Sequence, residues 1–176
     1  MHLYLIGYRG TGKSSTGRVL AQLLNRPFHD ADVVLEATAN MTIAQIFAEY
    51  GEADFRNRET ATLLTLAQQT DAVIATGGGV ILREENRELL RTTGFVVWLK
   101  ASAETLWERI HRDATTAERR PNLTDRGGLL EVQQMLQMRE PYYRSTAHFE
   151  IDTEALSPEA LAANILTAWN SSMKCL

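Results

Sequence analysis

The sequence predicts an α/β domain built on a parallel sheet with helices on both faces, and three observations predict it. The stretch Gly7-Tyr8-Arg9-Gly10-Thr11-Gly12-Lys13-Ser14 fits G-x-x-x-x-G-K-[ST], a phosphate-binding loop, and it stands between a short apolar run and a helical pattern. Short apolar runs alternate with amphipathic stretches along the chain, as in repeated strand–helix units. Three candidate ligand-binding stretches, the Gly-rich loop, Asp30/Asp32 and Gly77-Gly78-Gly79, each directly follow a predicted strand. Right-handed crossovers between parallel strands bring such ends to one edge, where α/β sheets bind ligands.

His2-Leu3-Tyr4-Leu5-Ile6 is short and mostly apolar and reads as a buried first strand. Residues 15–24 follow as a helix with Val19, Leu20, Leu23 and Leu24 at helical spacing. Glycines in the loop between them let the backbone approach phosphates, whose charge successive N–H groups and the helix N-terminus meet. The motif assigns Lys13 to the β- and γ-phosphates and the Ser14 hydroxyl to Mg²⁺. Phe28-His29-Asp30 is a short second strand. Asp30 and Asp32 lie two apart, so on extended chain their side chains share a side; Asp32 is also a candidate N-cap for residues 33–38. Beside a phosphate loop, one carboxylate is needed to hold Mg²⁺ or its waters, another to accept a proton from an attacking hydroxyl.

Thr42 and Gln45 form a capping box for a helix with Ile43, Ile46 and Phe47 on its apolar face, stopped at Gly51. Residues 52–69 read as a long helix with Leu63, Leu64, Leu66 and Ala67 inward. Near its start, Arg56 and Glu59 share a face at i,i+3, which a surface ion pair would also explain. Ala72-Val73-Ile74-Ala75 is a third strand running into Gly77-Gly78-Gly79, three glycines that make sense where something approaches the backbone closely. Residues 83–91 form a short polar helix, and Phe95-Val96-Val97-Trp98-Leu99 a fourth strand. Ser102 caps a helix bearing Leu106, Trp107 and Ile110, with Arg109 and Arg112 beside them. Residues 113–128 lack apolar periodicity and carry Arg119, Arg120, Pro121, Arg126 and Gly127-Gly128; they read as a lid. A helix over 129–138, ending near Arg139 ahead of Pro141, precedes a fifth strand, His148-Phe149-Glu150-Ile151. Ser157-Pro158-Glu159 opens the last helix, with Pro at its first position.

The 176 residues fit a single domain and can bury a sizeable core. A formal net charge of -4 argues against a nucleic-acid binder. The basic residues are nearly all Arg, with Lys only at Lys13, Lys100 and Lys174; Arg suits forked capture of carboxylate and phosphate. The lone Cys175 makes neither an internal disulfide nor a metal cluster. Without a signal peptide pattern or an apolar run of membrane-spanning length, a cytoplasmic protein is expected.

Taken together, GYRGTGKSS, Asp30-Ala31-Asp32, the run Gly51-Glu52-Ala53-Asp54-Phe55-Arg56-Asn57-Arg58-Glu59, ATGGGV, Arg120-Pro121 and Arg139-Glu140-Pro141-Tyr142-Tyr143-Arg144 resemble the shikimate kinase family from Leu3 to the last helix. The resemblance implies a three-layer P-loop NTPase fold, with a five-stranded parallel sheet in the order 2-3-1-4-5, substrate-binding helices over about 32–60 and a lid over about 113–128. It implies Mg²⁺-dependent transfer of the γ-phosphoryl of ATP to the 3-hydroxyl of shikimate, in the pathway to chorismate and the aromatic amino acids, by a monomer.

It also implies the site. Gly10, Thr11, Gly12, Lys13, Ser14 and Ser15 hold the nucleotide phosphates, and Ser14 and Asp30 hold Mg²⁺. Asp32 binds the acceptor hydroxyls and is the candidate proton acceptor. Arg56 and Arg139 pair with the shikimate carboxylate, supported by Phe55 and Glu59, with Gly77, Gly78 and Gly79 against the ring. Arg120 reaches the transferring phosphate, and Arg109 and Pro158 flank the adenine. The lid stretch is longer than is usual for the family, and Asn122 stands where Leu is usual. A gluconate kinase or nucleoside monophosphate kinase of the same fold is the nearest alternative enzyme, and an inactive binding protein on a kinase fold is the alternative of another class.

Overall fold

A computed structural model describes residues 1–112 and 128–173. Residues 113–127, with Arg119, Arg120 and nearly all of the expected lid, lie outside the described residues, as do Lys174 and Cys175. The strands β1 (His2–Ile6), β2 (Phe28–Asp30), β3 (Val73–Ala75), β4 (Gly94–Lys100) and β5 (Phe149–Asp152) form one parallel sheet in the order β2-β3-β1-β4-β5. Between them run α1 (Lys13–Leu24), α2 (Ala31–Ala39), α3 (Ile43–Ala67), a 3-10 turn (Val80–Leu82), α4 (Glu84–Thr93), α5 (Ala103–Arg112) and α6 (Gly128–Thr146), and α7 (Pro158–Met173) closes the chain.

The central strand shows why three layers form. All five β1 residues are buried, as expected of a parallel strand covered on both faces. Leu3 and Leu5 meet Leu20 and Ala21 of α1 and Ile165 and Trp169 of α7. Tyr4 and Ile6 point the other way, to Leu63 and Leu66 of α3, Leu90 of α4 and Tyr143 of α6. The period-2 alternation of the strand thus sorts its side chains into two cores. Every strand C-terminus lies on one edge, which receives the phosphate loop, Asp30 and the glycines after β3.

Several expectations are corrected. Asp30, not Asp32, caps α2: its Oδ1 accepts the Asp32 amide at 3.2 Å, and Asp32 lies in the first helical turn. Leu23 and Leu64 are exposed, because each helix rests on the sheet by a narrower stripe than its apolar residues suggest. α6 does not end before Pro141 but runs five residues past it to Thr146. The N–H that proline lacks would have bonded Gln137, which is exposed and open to water, while burial of Tyr143 and Thr146 holds the next turn in place. The expected capping box is present, with Gln45 N donating to Thr42 Oγ1 and Thr42 N to Gln45 Oε1. Gly51 turns the chain inside α3 at φ 79°, ψ 177°, a region essentially reserved for glycine.

Candidate active site

The phosphate loop leaves β1 and feeds α1, whose N-cap is Gly12. The loop is braced by its own side chains: Thr11 Oγ1 donates to Tyr8 O at 2.8 Å, and Lys13 Nζ donates to Gly7 O at 2.8 Å and Tyr8 O at 2.7 Å. Lys13 therefore lies across the loop at the N-terminus of α1, where the helix dipole and open amides also favour an anion. Ser14 Oγ donates to Asp30 Oδ2 at 2.6 Å, tying the start of α1 to the end of β2. A hydroxyl beside a carboxylate is a hard-oxygen pair that fits Mg²⁺, which takes one or two protein oxygens and completes its shell with phosphate and water. No group of three or more His, Cys, Asp or Glu side chains among the described residues could hold a metal ion unaided.

Beside the loop opens a cavity of about 220 Å³, small beside the ~300 Å³ lower end of ordinary ligand pockets and suited to a small acceptor. Asp32, Phe55, Arg56, Glu59, Gly77, Gly78, Gly79 and Arg139 all line it. The three glycines are explained by what lies against them. A Cβ at Gly77 would stand 2.8 Å from Glu59 Oε1 and 2.9 Å from Asp32 Oδ1, and one at Gly79 would stand 2.7 Å from Arg56 Cζ. Gly78 backs onto the phosphate loop, 3.4 Å from such an atom to Gly7 O. Its own carbonyl accepts from Arg139 Nη1 at 3.3 Å and from the Tyr143 hydroxyl.

Arg56 and Glu59 are not a surface pair. Both are buried, with Nη1 donating to Glu59 Oε2 at 2.8 Å, and Arg56 also reaches the exposed Glu52 at 3.1 Å. Burial pushes the Glu59 carboxyl above its ordinary pKa, against the pull of Arg56. Its Oε1 is buried without a hydrogen-bond partner. Arg139 is buried too, over the Tyr8 ring at 5.6 Å, while its exposed neighbour Glu140 pairs with Arg144 at 2.8 Å. Burial also raises the pKa of the Tyr8 and Tyr143 phenols, which stay neutral.

Arg109 joins the two sides of the sheet edge, donating to Thr153 Oγ1 at 3.0 Å and Gly10 O at 3.4 Å. Pro158 opens α7, and Ser15 is exposed in the first turn of α1. Sequence reasoning missed Tyr8, Arg9, Ile43, Phe47 and Glu52 as cavity residues. Tyr8 and Arg9 occupy unspecified positions of the loop motif, so the pattern passes over them. Ile43 and Phe47 read as a packing face, and helical periodicity does not separate packing against protein from lining a cavity.

A sheet in this order, with a phosphate loop on β1 and beside it a small cavity that sets charged side chains among apolar ones, defines a P-loop kinase of small molecules. The family model described as Shikimate kinase matches residues 9–170. A shikimate kinase from Rhodopirellula baltica is 46% identical over 172 residues, covering 98% of this chain and 92% of the relative. One from Symbiobacterium thermophilum is 43% identical, covering 94% of each. The solved shikimate kinase from Acinetobacter baumannii in complex with shikimate superposes with a TM-score of 0.91 at 38% identity, covering 97% of this chain and 93% of that one. The chain belongs to the shikimate kinase family.

Proposed function

We propose that this protein transfers the γ-phosphoryl group of ATP to the 3-hydroxyl of shikimate, giving shikimate 3-phosphate and ADP. The observation that carries the reading is the cavity in which Asp32, Arg56 and Arg139 converge within reach of the phosphate loop. Shikimate presents one planar carboxylate on a small ring of hydroxyls. Two guanidiniums held against Gly78 and Gly79 suit the carboxylate, and Asp32 suits the hydroxyls. Arg56 keeps its buried bond to Glu59, while its contact with exposed Glu52 is worth little and is readily exchanged for the substrate.

Gly10, Thr11, Gly12, Ser14 and Ser15 offer backbone donors to the nucleotide phosphates, with Lys13 as the neighbouring charge. Arg109 and Pro158 are assigned to the adenine, and Arg120, outside the described residues, to the transferring phosphate. Ser14 and Asp30 would hold Mg²⁺, which when bound neutralises charge on the β- and γ-phosphates. The transition state of phosphoryl transfer is loose, so positioning and charge neutralisation matter more than a strong base. Asp32 orients the hydroxyl and accepts its proton late.

A coupled assay of ADP release with shikimate, gluconate and AMP as acceptors tests the reading. Release dependent on shikimate and absent with the other two is expected. Faster release with gluconate, or shikimate binding without turnover, would overturn it.

A further inference from the structure

Arg9 occupies an unspecified position of the phosphate-loop motif, and the roles above leave it unused. Its side chain lines the acceptor cavity and is 11% exposed. Its charge faces Glu131, a buried carboxylate in the first turn of α6, but Nη2 stands 3.7 Å from Oε1, beyond hydrogen-bonding distance. Its Nε is buried without a hydrogen-bond partner, and the guanidinium lies 5.9 Å from the Tyr8 ring centroid. The other two cavity guanidiniums are bonded: Arg56 to Glu52 and Glu59, and Arg139 to Gly78 O. A guanidinium has five donors, and a desolvated one whose buried Nε is left without a partner is costly unless a ligand completes it.

We propose that Arg9 binds the phosphoryl group as it passes to the acceptor, and holds it in the phosphorylated product. Arg9 belongs to the loop that cradles the nucleotide, yet its side chain reaches the acceptor cavity, and its amide lies 3.5 Å from where a Cβ of Gly78 would stand. It therefore spans the gap the group must cross. In that step the acceptor oxygen bonds to the γ-phosphorus. The bond to the β–γ bridging oxygen breaks, its electron pair leaves with ADP, and the hydroxyl proton passes to Asp32. Three equatorial oxygens then come within the cavity wall, and a guanidinium fork matches two of them. Glu131 keeps the cation in place at a distance that leaves its hydrogen bonds for the ligand.

The proposal rests on the shikimate kinase reading, and calorimetric titration of shikimate and shikimate 3-phosphate into wild type, Arg9→Met and Arg9→Lys tests it. Arg9→Met is expected to bind the product at least about thirtyfold more weakly, ~2 kcal/mol, with shikimate affinity changed less than about threefold. Equal weakening of both ligands would overturn the proposal and make Arg9 a carboxylate contact or a prop for α6. Unchanged product affinity would overturn it as well. Should thermal melts show Arg9→Met unfolded, Arg9→Lys carries the same test: it keeps the charge but loses the fork, and its product affinity should fall about tenfold with shikimate unchanged. A wild type that binds neither ligand would overturn this proposal together with the shikimate reading. Failure of the proposal alone is distinct, because wild type then binds both.

Discussion

Lys13 holds its ammonium against two loop carbonyls, Gly7 O and Tyr8 O, so its charge is fixed within the loop. A preorganised charge of this kind acts mainly on the transition state. Lys13→Ala should lower kcat by ~10³-fold, measured by steady-state ADP release. A variant keeping a tenth of wild-type turnover would contradict that role. The two neighbouring aspartates separate in the same way. Asp30 binds Ser14 and caps α2, and Asn caps a helix as well as Asp does, so Asp30→Asn keeps the fold and isolates the charge. It should raise the Mg²⁺ concentration needed for half-maximal rate. Asp32→Asn, in the cavity wall, should raise the KM for shikimate and lower kcat, with the Mg²⁺ dependence unchanged. Interchangeable kinetics for the two variants would abolish the division.

At the scale of elements, the strand–loop junctions decide the site. Gly79 leaves room for Arg56, whose Cζ would stand 2.7 Å from an added Cβ. Gly79→Ala should therefore push Arg56 aside and raise the KM for shikimate about tenfold or more, ~1.4 kcal/mol, with little change for ATP. Gly78→Ala, whose Cβ would meet nothing nearer than Gly7 O at 3.4 Å, should be milder. Gly51 makes a different case, since nothing lies within 4 Å of a Cβ there and only its backbone demands glycine. Gly51→Ala should cost about 1–3 kcal/mol in urea unfolding, and an unchanged midpoint would mean the turn relaxes freely. What sequence could reveal divides along the same line. Strands, the capping box and the glycine run were legible because each depends on neighbours in the chain. The course of α6 past Pro141 was not, because Tyr143 and Thr146 are held by packing from distant elements.

For the whole molecule, parallel strands in the order β2-β3-β1-β4-β5 bring four distant stretches to one edge: the phosphate loop, Asp32, the glycines after β3, and Arg139 of α6. The first three are expected at one edge from the right-handed crossover rule, while Arg139 lies on a helix that topology alone does not bring there. Arg9 is not legible as a site residue, because it holds an unspecified motif position and the carboxylate its charge faces, Glu131, reaches it only once α6 has packed on the loop. Arg56 and Arg139, 83 positions apart, line the same cavity, and the proposed reading makes them one clamp for a substrate carboxylate. Both are buried, so losing one leaves the bound carboxylate under-paired, an effect of ~2–5 kcal/mol against ~1 kcal/mol or less for a surface pair. The most direct test is the KM for shikimate and for its analogue lacking the carboxylate, in wild type, Arg56→Lys and Arg139→Lys. Each variant should raise the KM for shikimate about thirtyfold or more, as ~2 kcal/mol implies, while the analogue should be a poor substrate throughout. A wild type that used the analogue as well as shikimate would contradict the clamp and the substrate with it.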